Sequence, residues 1–201
     1  MLTHVYHLYA DGHYQDPVDE HARALLEHGL AERLDHLYLG VVGTDENRAA
    51  AIDRVRDHGL NPEVVAEAPI AWEQLTLEWL RRYSTTHDGL TLYAHTKGAY
   101  NATDINHAWR KSMTYYNVVD WQRMVEALDE HDTAGCHWIV EEVNRFYGGN
   151  YWWARNSYLR KLAYPTVVNR WHAEIWIGTR HPNAYDANPG FPSVSLFRTS
   201  W

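Results

Sequence analysis

The segment LTLYAHTKG, residues 90–98, indicates the fold class. Residues 90–94 form a short apolar run of the kind that makes a buried β-strand, and the next four residues are polar and end in glycine. In α/β sheets, ligands bind beyond the carboxyl ends of the strands. We therefore expect a central parallel strand that leads into a binding site.

The residues before this segment alternate between strand and helix patterns. Short apolar runs are separated by stretches in which apolar residues recur at helical spacing. The strands are predicted at 5–10, 37–42 and 64–66, and the helices at 16–30, 45–58 and 71–83. This alternation predicts one α/β domain, Rossmann-like, with a mostly parallel central sheet and helices on both faces.

The second half of the sequence is less regular. A long helix or helix pair is predicted over 104–131 and a strand over 137–140, with short helices at 157–162 and 170–177. The tail over 181–192 is rich in turn residues, and we expect it to fold over the site or onto a partner.

The composition is that of one globular domain. The chain has 201 residues, 45% of them hydrophobic and 22% charged, which is enough to bury a sizeable core. The single cysteine, Cys136, has no partner for an intrachain disulfide, which favours a reducing compartment. The sequence shows neither a signal peptide nor an apolar stretch long enough to span a bilayer. We therefore expect a cytoplasmic protein, in the host cytoplasm if it is viral.

The charge balance argues against a polyanionic partner. Lys plus Arg total 18 against 26 Asp plus Glu, a net charge of −8. DNA remains a partner only if a local basic cleft forms. The candidates for such a cleft are Arg110, Lys111, Arg155, Arg160 and Lys161.

The end of the predicted strand at 90–94 is the first candidate site. His95, Thr96, Lys97 and Gly98 combine a cation, a hydroxyl and a glycine, which could hold the oxygens of a diphosphate, and Arg110 could complete the pocket. The alternative is a strand end whose polar residues only face water.

The segment GGNYWWA, residues 148–154, is the second candidate. Two glycines precede Asn150 and three consecutive large aromatic residues, which predicts that at least one ring faces a ligand. The alternative is a tightly packed loop in which the glycines permit positive φ and the rings fill the core.

Glu174 is a carboxylate in an apolar and aromatic segment. Such surroundings would raise its proton affinity and suit a general base. The alternative is a structural glutamate paired with Arg155 or Arg170.

Five segments between residues 70 and 180 resemble a family of compact glycosyltransferase-like proteins of bacteria and phages. They are WEQLTL (72–77), LYAHTKG (92–98), WRKSM (109–113), YGGNYWWA (147–154) and AEIWIG (173–178). The resemblance implies a GT-A-like fold, a nucleotide-sugar donor such as a UDP-sugar, and transfer of the sugar to a hydroxyl. The acceptor would be a surface glycan or a hydroxylated pyrimidine in phage DNA. Residues 1–100 would bind the donor, and residues 101–201 would supply the acceptor and catalytic half.

The proposed reaction suggests roles for the candidate residues. Glu174 would be the base, with Lys97 and Asn150 as further catalytic residues. The donor contacts would be Asp11 and Asp45, which follow the first two strands, together with His95, Thr96, Lys97, Gly98 and Arg110. The sugar or acceptor contacts would be Gly149, Asn150, Trp152, Trp153 and Arg155.

The sequence departs from the GT-A pattern in one respect. The Asp-x-Asp motif that holds a metal-bound diphosphate in many such enzymes is not evident, and His95-Thr96-Lys97 stands at the comparable strand end. We assign no metal ligand and leave a need for Mn²⁺ or Mg²⁺ open. Our hypothesis is that Lys97, together with Arg110, neutralises the leaving diphosphate. Two other classes remain: a carbohydrate- or nucleotide-binding module without catalysis, and a phage assembly protein that forms an oligomer.

Overall fold

Nine strands and seven α-helices are present in the computed structural model, which describes residues 1–189. The strands are β1 (Leu2–Tyr9), β2 (His36–Val42), β3 (Glu63–Ala68), β4 (Leu90–His95), β5 (Thr133–Gly135), β6 (Trp138–Val140), β7 (Arg145–Tyr147), β8 (Trp152–Arg155) and β9 (Ala184–Asp186). The helices are α1 (Gln15–Glu27), α2 (Asp45–Asp57), α3 (Gln74–Tyr83), α4 (Asp104–Thr114), α5 (Trp121–Ala127), α6 (Asn156–Leu159) and α7 (Trp171–Trp176). A 3₁₀ turn spans Ala31–Arg33, and a π-helical turn spans Tyr115–Val119.

Seven strands form the central sheet in the order β3-β2-β1-β4-β8-β5-β9. Strands β3, β2, β1 and β4 are parallel, β8 is antiparallel to both β4 and β5, and β9 is parallel to β5. Strands β6 and β7 pair separately as an antiparallel ribbon. The mostly parallel sheet confirms the predicted α/β fold class.

Helices cover both faces of this sheet. One face packs against α1, α2, α4 and α5. The other face packs against α3, α6 and α7. Trp152 and Trp153 are adjacent in β8 and therefore point to opposite faces, where each is fully buried.

Two helices begin at the carboxyl edge of the sheet with a threonine cap. The Thr44 side chain accepts a hydrogen bond from Asn47 N at the start of α2, and Thr103 does the same for Asn106 N at the start of α4. Each cap satisfies a backbone N–H that a helix terminus leaves unpaired, which contributes about 1 kcal/mol. Both caps fix the loops that surround the candidate site.

The second half of the chain differs in detail from the sequence prediction. The predicted helix over 104–131 is α4, the π-helical turn and α5. Asn117 explains the π-helical turn, because its Nδ2 donates to Met113 O, the carbonyl that its own backbone N–H would use in an α-helix. Strand β8 was not predicted, and residues 190–192 of the predicted tail lie outside the described residues. Within residues 1–189, no helix is long and apolar enough to cross a bilayer.

Candidate functional site

The sheet order places a topological switch point between β1 and β4. The chain runs from β1 to β2 and β3 on one side, and α3 then returns it to β4 on the other side of β1. The loops that follow β1 and β4 are joined by hydrogen bonds from Tyr9 N to Thr96 Oγ1 (2.9 Å) and from His13 N to Ala99 O (2.7 Å). Ligands of open α/β sheets bind at such a point.

Gly12 allows these two loops to approach closely. A Cβ at this position would lie 2.2 Å from Ala99 O, a distance that no side chain could adopt without moving the backbone. Glycine is therefore required here by close packing.

The predicted donor contacts Asp11 and Asp45 lie at the same edge. Asp11 Oδ1 accepts from Thr44 N at 2.8 Å and from Asn47 Nδ2 at 2.9 Å. These two hydrogen bonds lower the pKa of the Asp11 carboxyl below its usual value, so the side chain is a fixed anion. Asp45 is exposed and pairs with Arg48 at 2.8 Å.

The predicted cations Lys97 and Arg110 have different surroundings. Lys97 Nζ lies 3.8 Å from the centre of the Trp109 ring, a cation–π contact. Arg110 is buried, and its Nε donates to Glu20 Oε2 at 2.9 Å while its Nη1 donates to Lys97 O at 2.8 Å. Glu20 therefore neutralises Arg110, whereas Lys97 lies over an aromatic ring just after the end of β4.

His95 and Glu73 are at the centre of a partly buried polar cluster. His95 Nε2 donates to Gly149 O at 2.9 Å, and His95 Nδ1 lies 3.6 Å from Glu73 Oε1. Burial and the nearby Lys97 lower the pKa of His95 to about 3, so the imidazole is neutral. Glu73 Oε2 accepts from Tyr93 OH and from Asn150 Nδ2, both at 2.8 Å.

His7 borders this cluster from β1. Its Nδ1 lies 2.7 Å from Thr76 Oγ1 in α3, and its side chain is buried. Burial lowers the pKa of His7 to about 4, although Glu73 acts in the opposite direction. The cluster therefore joins the ends of β1 and β4 to the first turn of α3.

Glu174 and the Gly149–Asn150 turn meet at the same edge. Glu174 Oε1 accepts from Gly149 N at 2.7 Å. Asn150 is buried with a φ of 57°, and its Oδ1 accepts from Trp152 Nε1 at 2.8 Å. The two glutamates, Glu73 and Glu174, thus hold neighbouring residues of one turn.

The structure buries Trp152 and Trp153 in the core and places Arg155 at the opposite edge of the sheet. Both indoles are fully buried, which does not agree with their predicted role as the wall of a sugar site. Arg155 pairs with Leu90 at the amino end of β4, because β8 runs antiparallel to β4. The structure therefore does not bring Arg155 together with the other predicted site residues.

The predicted basic cleft does not form from its five candidates. Arg160 Nη2 donates to Asp88 Oδ1, next to Arg155 at the amino end of β4. Arg110 lies near the opposite, carboxyl end and pairs with Glu20. The two groups of cations belong to opposite edges of the sheet.

Glu73 and a second polar cluster were not predicted from the sequence as site residues. In the second cluster Ser112 Oγ lies 3.0 Å from His137 Nε2, and Asp186 Oδ2 accepts from Trp138 N at 3.1 Å. His137 and Asp186 stand at the carboxyl ends of β5 and β9. Glu73 and Ser112 had a sequence signal, because they lie in the quoted segments WEQLTL and WRKSM.

A divalent metal would find few protein ligands at this edge. Among residues 1–189, no group of three His, Cys, Asp or Glu side chains lies close enough together to hold an ion. Mg²⁺ is commonly held by one or two carboxylates with the rest of its shell from substrate phosphates and water. Asp11 fits that requirement as a single carboxylate.

The comparisons with known proteins place the chain first by fold and then by family. It is similar in structure to 4-diphosphocytidyl-2C-methyl-D-erythritol synthase from Anaerococcus prevotii, with a TM-score of 0.52 and 7% identity over 94% of this chain and 88% of that one. The two therefore share a Rossmann-like α/β fold. Residues 5–191 match the model of the family described as domain of unknown function (DUF8361), and the chain belongs to that family. A search of curated proteins finds no match.

Proposed function

We propose that this protein is a glycosyltransferase that moves a sugar from a nucleotide-sugar donor, such as a UDP-sugar, to an acceptor hydroxyl. The observation that carries the proposal is Lys97, held over Trp109 at the switch point beside the Glu73–His95–Asn150 cluster. A cation stabilises the negative charge of a departing diphosphate, and a nearby carboxylate can take the proton of the acceptor hydroxyl.

In this proposal the donor binds mainly to residues 1–100. The diphosphate lies against Lys97 and the backbone of residues 96–98, and the nucleoside lies toward Asp11 and Asp45. Tyr9 and Tyr100, whose ring centres are 5.9 Å apart at this edge, offer aromatic faces to the base. The fold is compatible with this arrangement, since the name of the Anaerococcus prevotii enzyme describes a diphosphocytidyl product.

The proposed reaction breaks the bond between the anomeric carbon and the diphosphate and forms a bond from that carbon to the acceptor oxygen. Lys97 stabilises the negative charge on the leaving diphosphate. Glu174 takes the acceptor proton, because its carboxylate is fixed by the Gly149 amide at the same edge. Asn150 and Glu73 act as positioning residues that hold the Gly149–Asn150 turn.

A glycan is the better acceptor of the two expected from the sequence. The net charge is −8, and the cations expected to form a DNA cleft lie on opposite edges of the sheet. A glycan needs hydrogen bonds and aromatic contacts rather than a basic surface.

The first experiment measures thermal unfolding with a panel of nucleoside diphosphates and nucleotide sugars, each with and without Mn²⁺ or Mg²⁺. A ligand that binds the native state raises the unfolding midpoint. We expect one nucleotide family to raise it, and the same nucleotide sugar to release its nucleoside diphosphate on addition of a glycan acceptor. Binding without turnover would identify a binding module instead, and no shift with any nucleotide would contradict the proposal.

The second experiment tests the base. Glu174→Gln is expected to bind the nucleotide sugar normally but to transfer its sugar roughly 100-fold more slowly. Glu142→Gln, at an exposed position, is the matched control and should behave as the wild type. Normal turnover by a folded Glu174→Gln protein would show that another group takes the proton.

A further inference from the structure

A ridge of exposed apolar side chains lies outside the candidate site. We call residues 160–171 the ridge. Its exposed apolar members are Tyr164 (55% exposed), Val167 (68%), Val168 (67%) and Trp171 (43%). Exposed apolar side chains that lie together mark interaction surfaces in proteins.

The ridge is fixed to the fold along α3. Arg81 Nε donates to Leu162 O at 2.5 Å near the end of the helix, and Gln74 Nε2 donates to Asn169 O at 2.7 Å in its first turn. The ridge therefore runs along α3 from its carboxyl end toward its amino end. Its backbone is held by these bonds while the valines face outward.

The charge of this surface is opposite to that of the whole chain. No Asp or Glu occurs between residues 143 and 173, although the protein carries a net charge of −8. Two cations of α3, Arg81 and Arg82, lie within 6 Å of the Tyr164 ring. The cations of this surface are Arg81, Arg82, Arg160, Lys161 and Arg170.

Arg82 and Arg160 of this surface each pair with an acid. Glu78 Oε1 lies 2.6 Å from Arg82 Nη2, and Asp88 Oδ1 lies 2.5 Å from Arg160 Nη2. Residues 160–171 themselves contain three cations and no acid, so the exposed valines and aromatic rings lie in a positively charged segment.

We infer that the ridge is a docking surface for an anionic lipid bilayer. Lys and Arg attract anionic headgroups, Tyr and Trp side chains favour the interface, and exposed aliphatic residues enter the outer part of the acyl region. A nucleic acid would match the charge but would leave the valines without apolar contact.

The ridge reaches the candidate site through the start of α3. Ile70 (91% exposed) and Trp72 (46%) precede Glu73, and Gln74 binds the ridge backbone. A bilayer on the ridge would therefore bring membrane-attached molecules to the carboxyl edge of the sheet. Docking itself does not depend on the proposed transferase activity.

The chain contains a matched control for the two valines. Val140 and Val143 are also exposed, at 61% and 82%, but they flank Glu141 and Glu142. Apolar exposure is similar in the two pairs, and the neighbouring charge has the opposite sign.

The test is co-sedimentation of the full chain with vesicles. One set contains phosphatidylcholine alone, and the other contains phosphatidylcholine mixed with phosphatidylglycerol. We expect binding to the anionic vesicles only, and weaker binding in about 1 M NaCl, where the Debye length falls to about 3 Å. Lys161→Glu with Arg170→Glu should lower the partition coefficient by at least 25-fold, at roughly fivefold per cation.

Val167→Ser with Val168→Ser should lower the partition coefficient roughly tenfold, since apolar burial is lost. Val140→Ser with Val143→Ser should leave it unchanged. Equal loss in both double variants, equal binding to neutral vesicles, or no binding to anionic vesicles would overturn the inference. Binding to duplex DNA, or self-association that Val167→Ser abolishes, would assign the ridge to a different partner and overturn it as well.

Discussion

Two histidine clusters lie on opposite faces of β1 and differ in their charged neighbours. On one face of β1, His4 Nε2 lies 2.7 Å from His21 Nε2 of α1. On the other face, His7 contacts Thr76, and His95 of β4 lies next to Glu73. Burial lowers the pKa of His4 and of His7 to about 4.

The difference is in the charges that surround each cluster. His4 Nδ1 donates to Leu92 O, so its Nε2 accepts from His21 Nε2. Both imidazoles of this pair are therefore neutral. His95 instead lies between the carboxylate of Glu73 and the ammonium of Lys97. Burial is therefore enough to lower a histidine pKa. The candidate site differs from the His4–His21 pair because charged side chains, Glu73 and Lys97, lie near its histidine.

The largest expected effect is a loss of stability in acid that both clusters share. The pKa values of His4, His7, His21 and His95 are all lowered in the folded chain. The unfolded chain therefore binds more protons in acid than the folded chain does. The contribution of these histidines to the free energy of unfolding is at its maximum above pH 6.5 and decreases as the pH drops toward 4. Each histidine contributes about 1.4 kcal/mol per pH unit within that window. Urea unfolding at pH 7, 6 and 5 measures this slope, and constant stability from pH 7 to 5 would contradict it.

The second effect tests the cation of the charged cluster. Lys97→Ala should lower sugar transfer roughly 100-fold, because the leaving diphosphate loses its counter-charge. The unfolding midpoint should change little, since one cation–π contact contributes about 1 kcal/mol. Steady-state kinetics measure the rate. Lys111→Ala, on the exposed side of α4, is the control and should keep the wild-type rate. Full turnover by Lys97→Ala would exclude this role.

The third effect concerns Glu73, which orients Asn150. Glu73→Gln should lower turnover roughly tenfold and the free energy of unfolding by about 1–2 kcal/mol, because two charge-assisted hydrogen bonds become neutral ones. Denaturant unfolding and steady-state kinetics measure the two values. Glu78→Gln in the same helix removes only an exposed pair with Arg82 and is the control. Equal behaviour of the two variants would show that the Glu73 charge has no special function.

The smallest effect is expected at the neutral pair. His21→Leu should leave turnover within twofold of the wild type and should cost about 1 kcal/mol of stability, since His4 Nε2 loses its donor. The dependence of the free energy of unfolding on pH should also weaken by the contribution of one histidine. A large loss of turnover would mean that the two faces of β1 are coupled.

The first four strands could be predicted from the sequence because each is a distinct apolar run. Strands β1, β2 and β4 lie within two to three residues of their predicted bounds, as do α2 and α3. Strand β8 was not predicted, because its four residues are too few to show a period and follow two glycines. The pairing of β8 with β4 connects residues 59 to 65 positions apart, which no local pattern specifies.

The residues of the candidate site were also predictable only in part. His95, Lys97 and Gly98 were found because they follow a recognisable strand, and Glu174 was found because it is a carboxylate among apolar residues. Trp152 and Trp153 were placed at a ligand only because they are aromatic, whereas alternation along β8 buries one on each face. Arg155 was grouped with the site by its place in the sequence, and the direction of β8, which puts it at the opposite edge, could not be predicted.

The sequence by itself determined the α/β class, the parallel half of the sheet and the polar end of β4, because local periodicity and strand-end composition report these directly. Only the tertiary structure brought Glu73, Asn150 and His95 together and paired Arg110 with Glu20. These contacts join residues that are distant in the chain. They depend on strand order and direction, which are determined by packing across the whole sheet rather than by any single segment.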